Sequence, residues 1–163
     1  EKPIREPEHP THVYSLHDKI SFEEVHFAYS NGNTAGQNPE VIRGVSFTVR
    51  RGQTVALVGQ SGSGKSTLVD LLPRFHDVTS GRICIDGHDI RTLRISELRA
   101  LIGNVNQEAI LFNDTFFNNI SFGVENATLE QVQEAAKVAN AHDFIMATEQ
   151  GYDTPVGDRG CRL

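Results

Sequence analysis

Apolar and polar positions divide the chain into short elements of two periods. Ile20, Phe22, Val25 and Phe27 nearly alternate, with one slip after Phe22, which predicts a strand containing a bulge. Val45, Phe47 and Val49 alternate as a half-buried strand, and Arg51-Gly52 then turns the chain. Thr54–Val58 is a β-rich apolar run, the pattern of a strand buried on both faces. Helical spacing begins after Gly64: Lys65–Leu72 sets Leu68, Leu71 and Leu72 on one side, and Pro73 ends or kinks it. Arg82–Ile85 predicts a strand, with Asp86-Gly87 as a turn. Ser96 is expected to cap a short helix running to Leu101, and Ile102–Val105 to form another strand. Thr115–Ile120 is expected to be helical. Thr128 and Gln131 have capping-box spacing ahead of Val132, Ala135, Ala136 and Ala139, which recur at helical intervals. A last short helix is expected over Ala141–Ala147.

The remaining stretches lack such periods. Glu1–Asp18 mixes Pro3, Pro7 and Pro10 with charges and with His9, His12 and His17, and reads as a linker. The spacing of His9 and His12 admits a metal pair, but a solvated tail is the expectation. Ser30–Pro39 is a loop by composition. No apolar run reaches the roughly 18 residues of a membrane span, and the charged, Pro-rich start is not a signal peptide. With 38% hydrophobic and 22% charged residues, the composition is that of a globular domain. A net charge of −6 argues against broad nucleic-acid binding, which needs a basic surface. It does not argue against nucleotides, whose phosphates backbone N–H groups hold. Cys84 and Cys161 lie far apart and form no CxxC pair, so neither a disulfide framework nor a metal site is indicated and a reducing, cytosolic setting is expected.

The chemistry concentrates in one segment. Gly59, Gln60, Ser61, Gly62, Ser63, Gly64, Lys65 and Ser66 fit the pattern Gly-x-x-x-x-Gly-Lys-Ser/Thr, placed between a predicted strand and a predicted helix. Glycines allow such a loop to wrap closely on phosphate with its N–H groups pointing inward. The helix beginning near Lys65 adds its unpaired N–H groups and positive dipole end. Lys65 supplies a full charge near the β- and γ-phosphates, and the Ser66 hydroxyl suits Mg²⁺. Thr67 adds a hydroxyl or amide contact to phosphate.

The stretch VSFTVRRGQTVALVGQSGSGKSTLVDLLPRF, followed by SGRICIDGHDI, resembles the ATP-binding domain of ABC transporters. The resemblance covers Ile20 to Leu163 and is to the exporter branch, of the lipid A exporter and multidrug half-transporter type. It implies an α/β fold: a P-loop NTPase core with an antiparallel β subdomain over about 19–106, a Q-loop at 107–112, and the start of a helical subdomain over about 113–163. It implies that Tyr29, in VHFAYS, stacks on adenine, and that Gln107, in VNQEAILF, reaches the Mg²⁺ and the attacking water. Lys65 and Gln107 are thus the catalytic candidates, and Ser66 and Gln107 the metal-side groups. Phe112–Thr115 with Asn118–Ile120 resembles the opening of the helical subdomain, and Thr154–Gly160 the exporter loop that touches the membrane domain. The cofactors implied are ATP and Mg²⁺. The partners implied are a membrane-spanning domain and a second ATP-binding domain, with a lipid or hydrophobic transported substrate at the cytoplasmic face of the inner membrane.

The likeness is incomplete. Leu163 matches the first residue of the family signature, and no Walker B strand or switch histidine is found. Asp86 and Asp89 follow an apolar run but fit a hairpin turn better than a Walker B site. The chain is therefore read as cut short before the signature, with an incomplete core sheet. Two expectations follow: negligible ATP hydrolysis and weak nucleotide binding, and self-association through the sheet edge beside Thr54–Val58. Other classes are a soluble ABC-type ATPase of DNA repair or chromosome structure, and a non-catalytic binding module. The first is disfavoured by the absence of heptads between Lys65 and Gln107.

Overall fold

The slip in the first apolar alternation is a bulge. The computed structural model describes residues 4–29, 39–105 and 110–157. In it β1 (Lys19–Phe27) pairs antiparallel with β2 (Ile42–Arg50), and the register shifts between Phe22 and Val25. Glu24 takes up the extra residue at φ 46°, and its N–H donates to Ser46 Oγ at 2.9 Å. On one face of the pair Phe22 stacks on Phe47, ring centroids 4.4 Å apart. The other edge of β1 pairs with β3 (Ser80–Ile85), which turns at Asp86-Gly87 into the two-residue β4 (His88–Asp89). The sheet order is β2-β1-β3-β4, antiparallel throughout. The fold is mixed α/β, with an open sheet.

The chain divides into two compact units, Glu1–Asn104 and Val105–Leu163. The first has its core where α1 (Lys65–Leu71) meets this sheet: Leu68, Leu71, Phe22, Val25, Ile83 and Ile85 are buried together. Leu71 is fully buried, which at about 25 cal/mol per Å² is worth roughly 1.5–3 kcal/mol for that side chain alone. Ile90, Leu93 and Leu98, the last on α2 (Ile95–Ala100), close the same core. The second unit packs α3 (Phe116–Ile120), α4 (Leu129–Val138) and α5 (His142–Met146) around Phe116, Val132, Ile145, Tyr152 and Val156. Thr128 and Gln131 form the capping box expected of them, both reciprocal bonds present. No helix among the described residues is long and apolar enough to cross a membrane.

Four expectations are corrected. Thr54–Val58 joins no strand ladder and is exposed, Val58 at 91%. A strand of this kind needs neighbours to take its hydrogen bonds and cover its faces, and no strand among the described residues pairs with it. Ile102–Val105 is likewise in no strand, although Ile102 packs against the core. Ser96 lies inside α2 rather than capping it. The cap is Arg94, and the Ile95 N–H is taken by Glu6 Oε1 at 3.0 Å, from a segment distant in sequence. Residues 4–18 are not a solvated tail. Thr11 bridges to Leu93, His12 and the Val13 N–H meet the Glu97 carboxylate at 2.8 and 3.1 Å, and Val13 and Leu16 pack on the core.

Asp86 anchors the end of that segment. Its carboxylate accepts the N–H groups of His17, Asp18 and Lys19 at 2.7, 2.8 and 2.9 Å. Burial opposes its ionisation, but these three donors outweigh it and hold the carboxyl below its ordinary range. We expect Asp86→Ala to lower unfolding stability by about 1–3 kcal/mol in urea melts, and Asp86→Asn, which still accepts and tolerates positive φ, by less. Because the folded pKa is depressed, the carboxylate's contribution is complete above about pH 4 and is lost as pH falls through the folded value. The stability gap between wild type and Asp86→Ala should therefore narrow in acid, leaving the backbone cost of alanine at φ 50°.

Candidate functional site

The loop Gly59–Thr67 runs from the exposed Thr54–Val58 segment into α1. The Ser63 N–H donates to Gln60 O at 3.2 Å, closing a turn, and Gly62 and Gly64 take φ of 79° and 90°. Gly64 is the N-cap of α1, and the first intrahelical bond is Leu68 N–H to Gly64 O at 2.8 Å. The N–H groups of Lys65, Ser66 and Thr67 therefore precede any intrahelical acceptor and lie at the positive end of the helix. A side chain at Gly64 would place its Cβ 2.8 Å from Ile42 Cδ1 and 3.1 Å from Val41 O, so the backbone lies directly against the start of β2.

Lys65 folds back over the loop. Its Nζ donates to Gly59 O at 2.9 Å, to Gln60 O at 2.7 Å and to Ser63 Oγ at 3.3 Å. The ammonium thus holds the loop in a curve around one positive centre, and Gln60, Ser61 and Ser66 remain exposed. One ammonium, an exposed serine hydroxyl, helix-end N–H groups and glycines that bring backbone close form a donor set that suits a polyphosphate and an oxygen-bound cation such as Mg²⁺.

Tyr29 stands beside this loop. Its hydroxyl shares a hydrogen bond with Thr67 Oγ1 at 2.9 Å, which ties the end of β1 to the first turn of α1. Thr67 is buried, and its hydroxyl is engaged by Tyr29, so its N–H is the group left for phosphate. The Tyr29 ring is perpendicular to Phe27 and to His76, with centroids 4.8 and 5.3 Å away. The sequence reading missed His76 and Phe27 at this site, because no local period relates positions 27, 29 and 76. Gln107 falls outside the described residues, as do Asp158–Gly160 of the expected exporter loop and Leu163. Asp86 and Asp89 are engaged elsewhere: Asp86 accepts the N–H groups of residues 17–19, and Asp89 accepts the Arg91 N–H at 2.9 Å and pairs with its guanidinium.

Three comparisons bear on the site. Residues 42–157 match the family described as ABC transporter. The chain is similar to the ATP-dependent lipid A-core flippase of Syntrophus aciditrophicus (strain SB), 47% identical over 91% of this chain and 24% of the relative. It is similar to ATP-binding cassette sub-family B member 6 of Xenopus tropicalis, 51% identical over 89% of this chain and 16% of the relative. It also superimposes on a bacterial Atm1-family ABC exporter solved with ATP bound, at TM-score 0.81 and 44% identity, covering 96% of this chain and 26% of the other. The chain spans about a quarter or less of the length of these proteins.

The loop glycines differ in what they must accommodate. Gly62→Ala meets nothing within 4 Å and bears only the left-handed strain, about 1–2 kcal/mol. Gly64→Ala adds contacts with Ile42 and Val41, and we expect it to cost at least about 1 kcal/mol more in urea denaturation.

Proposed function

The chain belongs to the ABC transporter family, and from that premise we propose that it is the ATP-binding domain through which an exporter couples ATP binding and hydrolysis to movement of a lipid or other hydrophobic substrate. The observation that carries the nucleotide-binding part is the geometry of one loop, the Gly59–Thr67 segment at the start of α1 with Lys65 Nζ centred on it and Tyr29 pinned to Thr67; the exporter part rests on the relatives.

Each residue then has a role. Lys65 exchanges its hydrogen bonds to the loop carbonyls for the β- and γ-phosphates. The N–H groups of Lys65, Ser66 and Thr67 hold phosphate oxygens at the helix end. The Ser66 hydroxyl would hold Mg²⁺, which would supply charge neutralisation on the phosphates. Tyr29 offers its ring to the adenine, and Gln107 keeps the metal-side and catalytic role that the family resemblance implies for it. The likeness to a lipid A-core flippase and to an Atm1-family exporter favours a membrane-spanning domain and a second ATP-binding domain as partners, and on this reading the chain sits at the cytoplasmic face of the membrane. Closure of two such domains is an equilibrium that ATP shifts only as far as it contacts the closed form better.

Titration calorimetry of the chain with ATP and Mg²⁺ tests the grip. Lys65→Ala removes a charged hydrogen-bond donor worth about 1.5–3 kcal/mol, so its affinity should be at least about tenfold weaker. Equal affinities would contradict the assignment of the loop. With no Walker B carboxylate found within residues 1–163, turnover by the chain should not exceed that of the Lys65→Ala variant.

A further inference from the structure

Tyr29 is the second residue after β1, and the two residues before it are held on both edges of that strand, Ala28 N–H by Thr79 Oγ1 at 3.2 Å and Phe27 O by Val41 N–H at 2.8 Å. Among the described residues, three contacts set its ring direction: the Thr67 hydroxyl, the perpendicular Phe27 ring and the perpendicular His76 ring. Phe27 belongs to the core, and Thr67 belongs to the phosphate loop and its helix. His76 belongs to neither, and the function described above gives it no part.

His76 is itself held firmly. It follows Arg74, a buried residue at φ 54°, whose Nε donates to Asp77 Oδ1 at 2.7 Å and whose other guanidinium nitrogens reach Arg91 O and Arg5 O. Arg99 donates to Pro73 O and Arg74 O at 3.0 and 3.1 Å. The turn after α1 is thus fastened from three sides, and it presents the imidazole 5.4 Å from Phe27 and 5.3 Å from Tyr29. Three mutually close rings restrict one another, and a side chain with two rotatable bonds gripped at its tip and its flank is left with a single orientation.

We propose that His76 is a positioning residue for nucleotide base recognition: it holds the Tyr29 ring in the orientation that receives the base, and takes no part in gripping phosphate. This deepens, and rests on, the assignment of Tyr29 as the base platform. A loosened Tyr29 must be ordered again on binding, so the loss falls on ligands with a base and spares those without one.

Calorimetric titration of the 163-residue chain with Mg²⁺-ATP and with Mg²⁺-tripolyphosphate separates the two. His76→Ala is expected to weaken ATP about three- to tenfold and leave tripolyphosphate unchanged, and His76→Phe, which restores a flat ring, to bind ATP within about twofold of wild type. Equal loss for both ligands in His76→Ala would overturn the proposal, marking His76 as merely structural. Tyr29→Ala distinguishes the premise: if it leaves ATP affinity unchanged, the base-platform assignment fails. If Tyr29→Ala weakens ATP and His76→Ala does not, only the positioning role fails. Nuclear magnetic resonance tests the same role without nucleotide. The Hα–Hβ couplings of Tyr29 should report one χ1 rotamer in wild type and in His76→Phe, and averaging in His76→Ala. A single rotamer persisting in His76→Ala would overturn the proposal.

Discussion

The seat of α1 on the antiparallel sheet is the contact on which the rest of this molecule depends. Leu71 is fully buried and Leu68 nearly so, against Phe22, Val25, Ile83 and Ile85. A helix of seven residues has little stability of its own, because nucleation is unfavourable and few propagation bonds follow it. Its conformation is therefore a consequence of this burial. Removing either leucine to Ala-size would forfeit about 2–5 kcal/mol, a large part of a domain's net stability. With the helix in place, Gly64 lies against β2, the first-turn N–H groups point out of the core, and Thr67 meets Tyr29. The proposed phosphate grip and base platform are thus tied to one packing contact.

Polar contacts then fix what burial cannot. The bulge at Glu24 lets β1 keep Phe22 and Val25 both inward, although three positions separate them. Residues 4–18 bring few large apolar side chains, and they are held by directed bonds to Arg74, Glu97 and Asp86 instead. These differ in weight. Arg74 is almost wholly buried and its guanidinium bonds replace lost solvation, so they are obligatory once the group is enclosed. Pairs such as Arg50–Asp18 and Lys137–Glu134 are exposed on both sides and worth little singly. The incoming segment, the turn after α1 and the rings around Tyr29 therefore share one framework, centred on Arg74.

Features written in local spacing were legible in the sequence. The slip between Phe22 and Val25, the β2 alternation, the Asp86-Gly87 turn, the Thr128–Gln131 box and the glycine-rich turn of Gly59–Thr67 into α1 each depend on residues within a few positions of one another. What was not legible depends on partners distant in the chain. Thr54–Val58 has the composition of a buried strand, but composition does not supply the neighbouring strands that would bury it. Ser96 has the right chemistry for a helix cap, yet the Glu6 carboxylate reaches the end of α2 from far away in sequence and moves the start to Ile95. Residues 4–18 look like a tail because their Pro and charge content hides the alignment of Thr11 with Leu93. At the site, Lys65, Ser66 and Tyr29 stood out by motif, whereas His76 joins Tyr29 only through the fold.

The central claim is that one chain segment grips phosphate while Tyr29 receives the base. Heteronuclear spectra of the labelled chain, recorded with ATP and Mg²⁺, test both halves at once. Shifts are expected to concentrate at the amides of residues 61–67, with intermolecular Overhauser contacts between the adenine H2 or H8 proton and the Tyr29 ring. Amides of 61–67 that stay unmoved at saturating ATP, or an adenine whose contacts fall away from Tyr29, would contradict it.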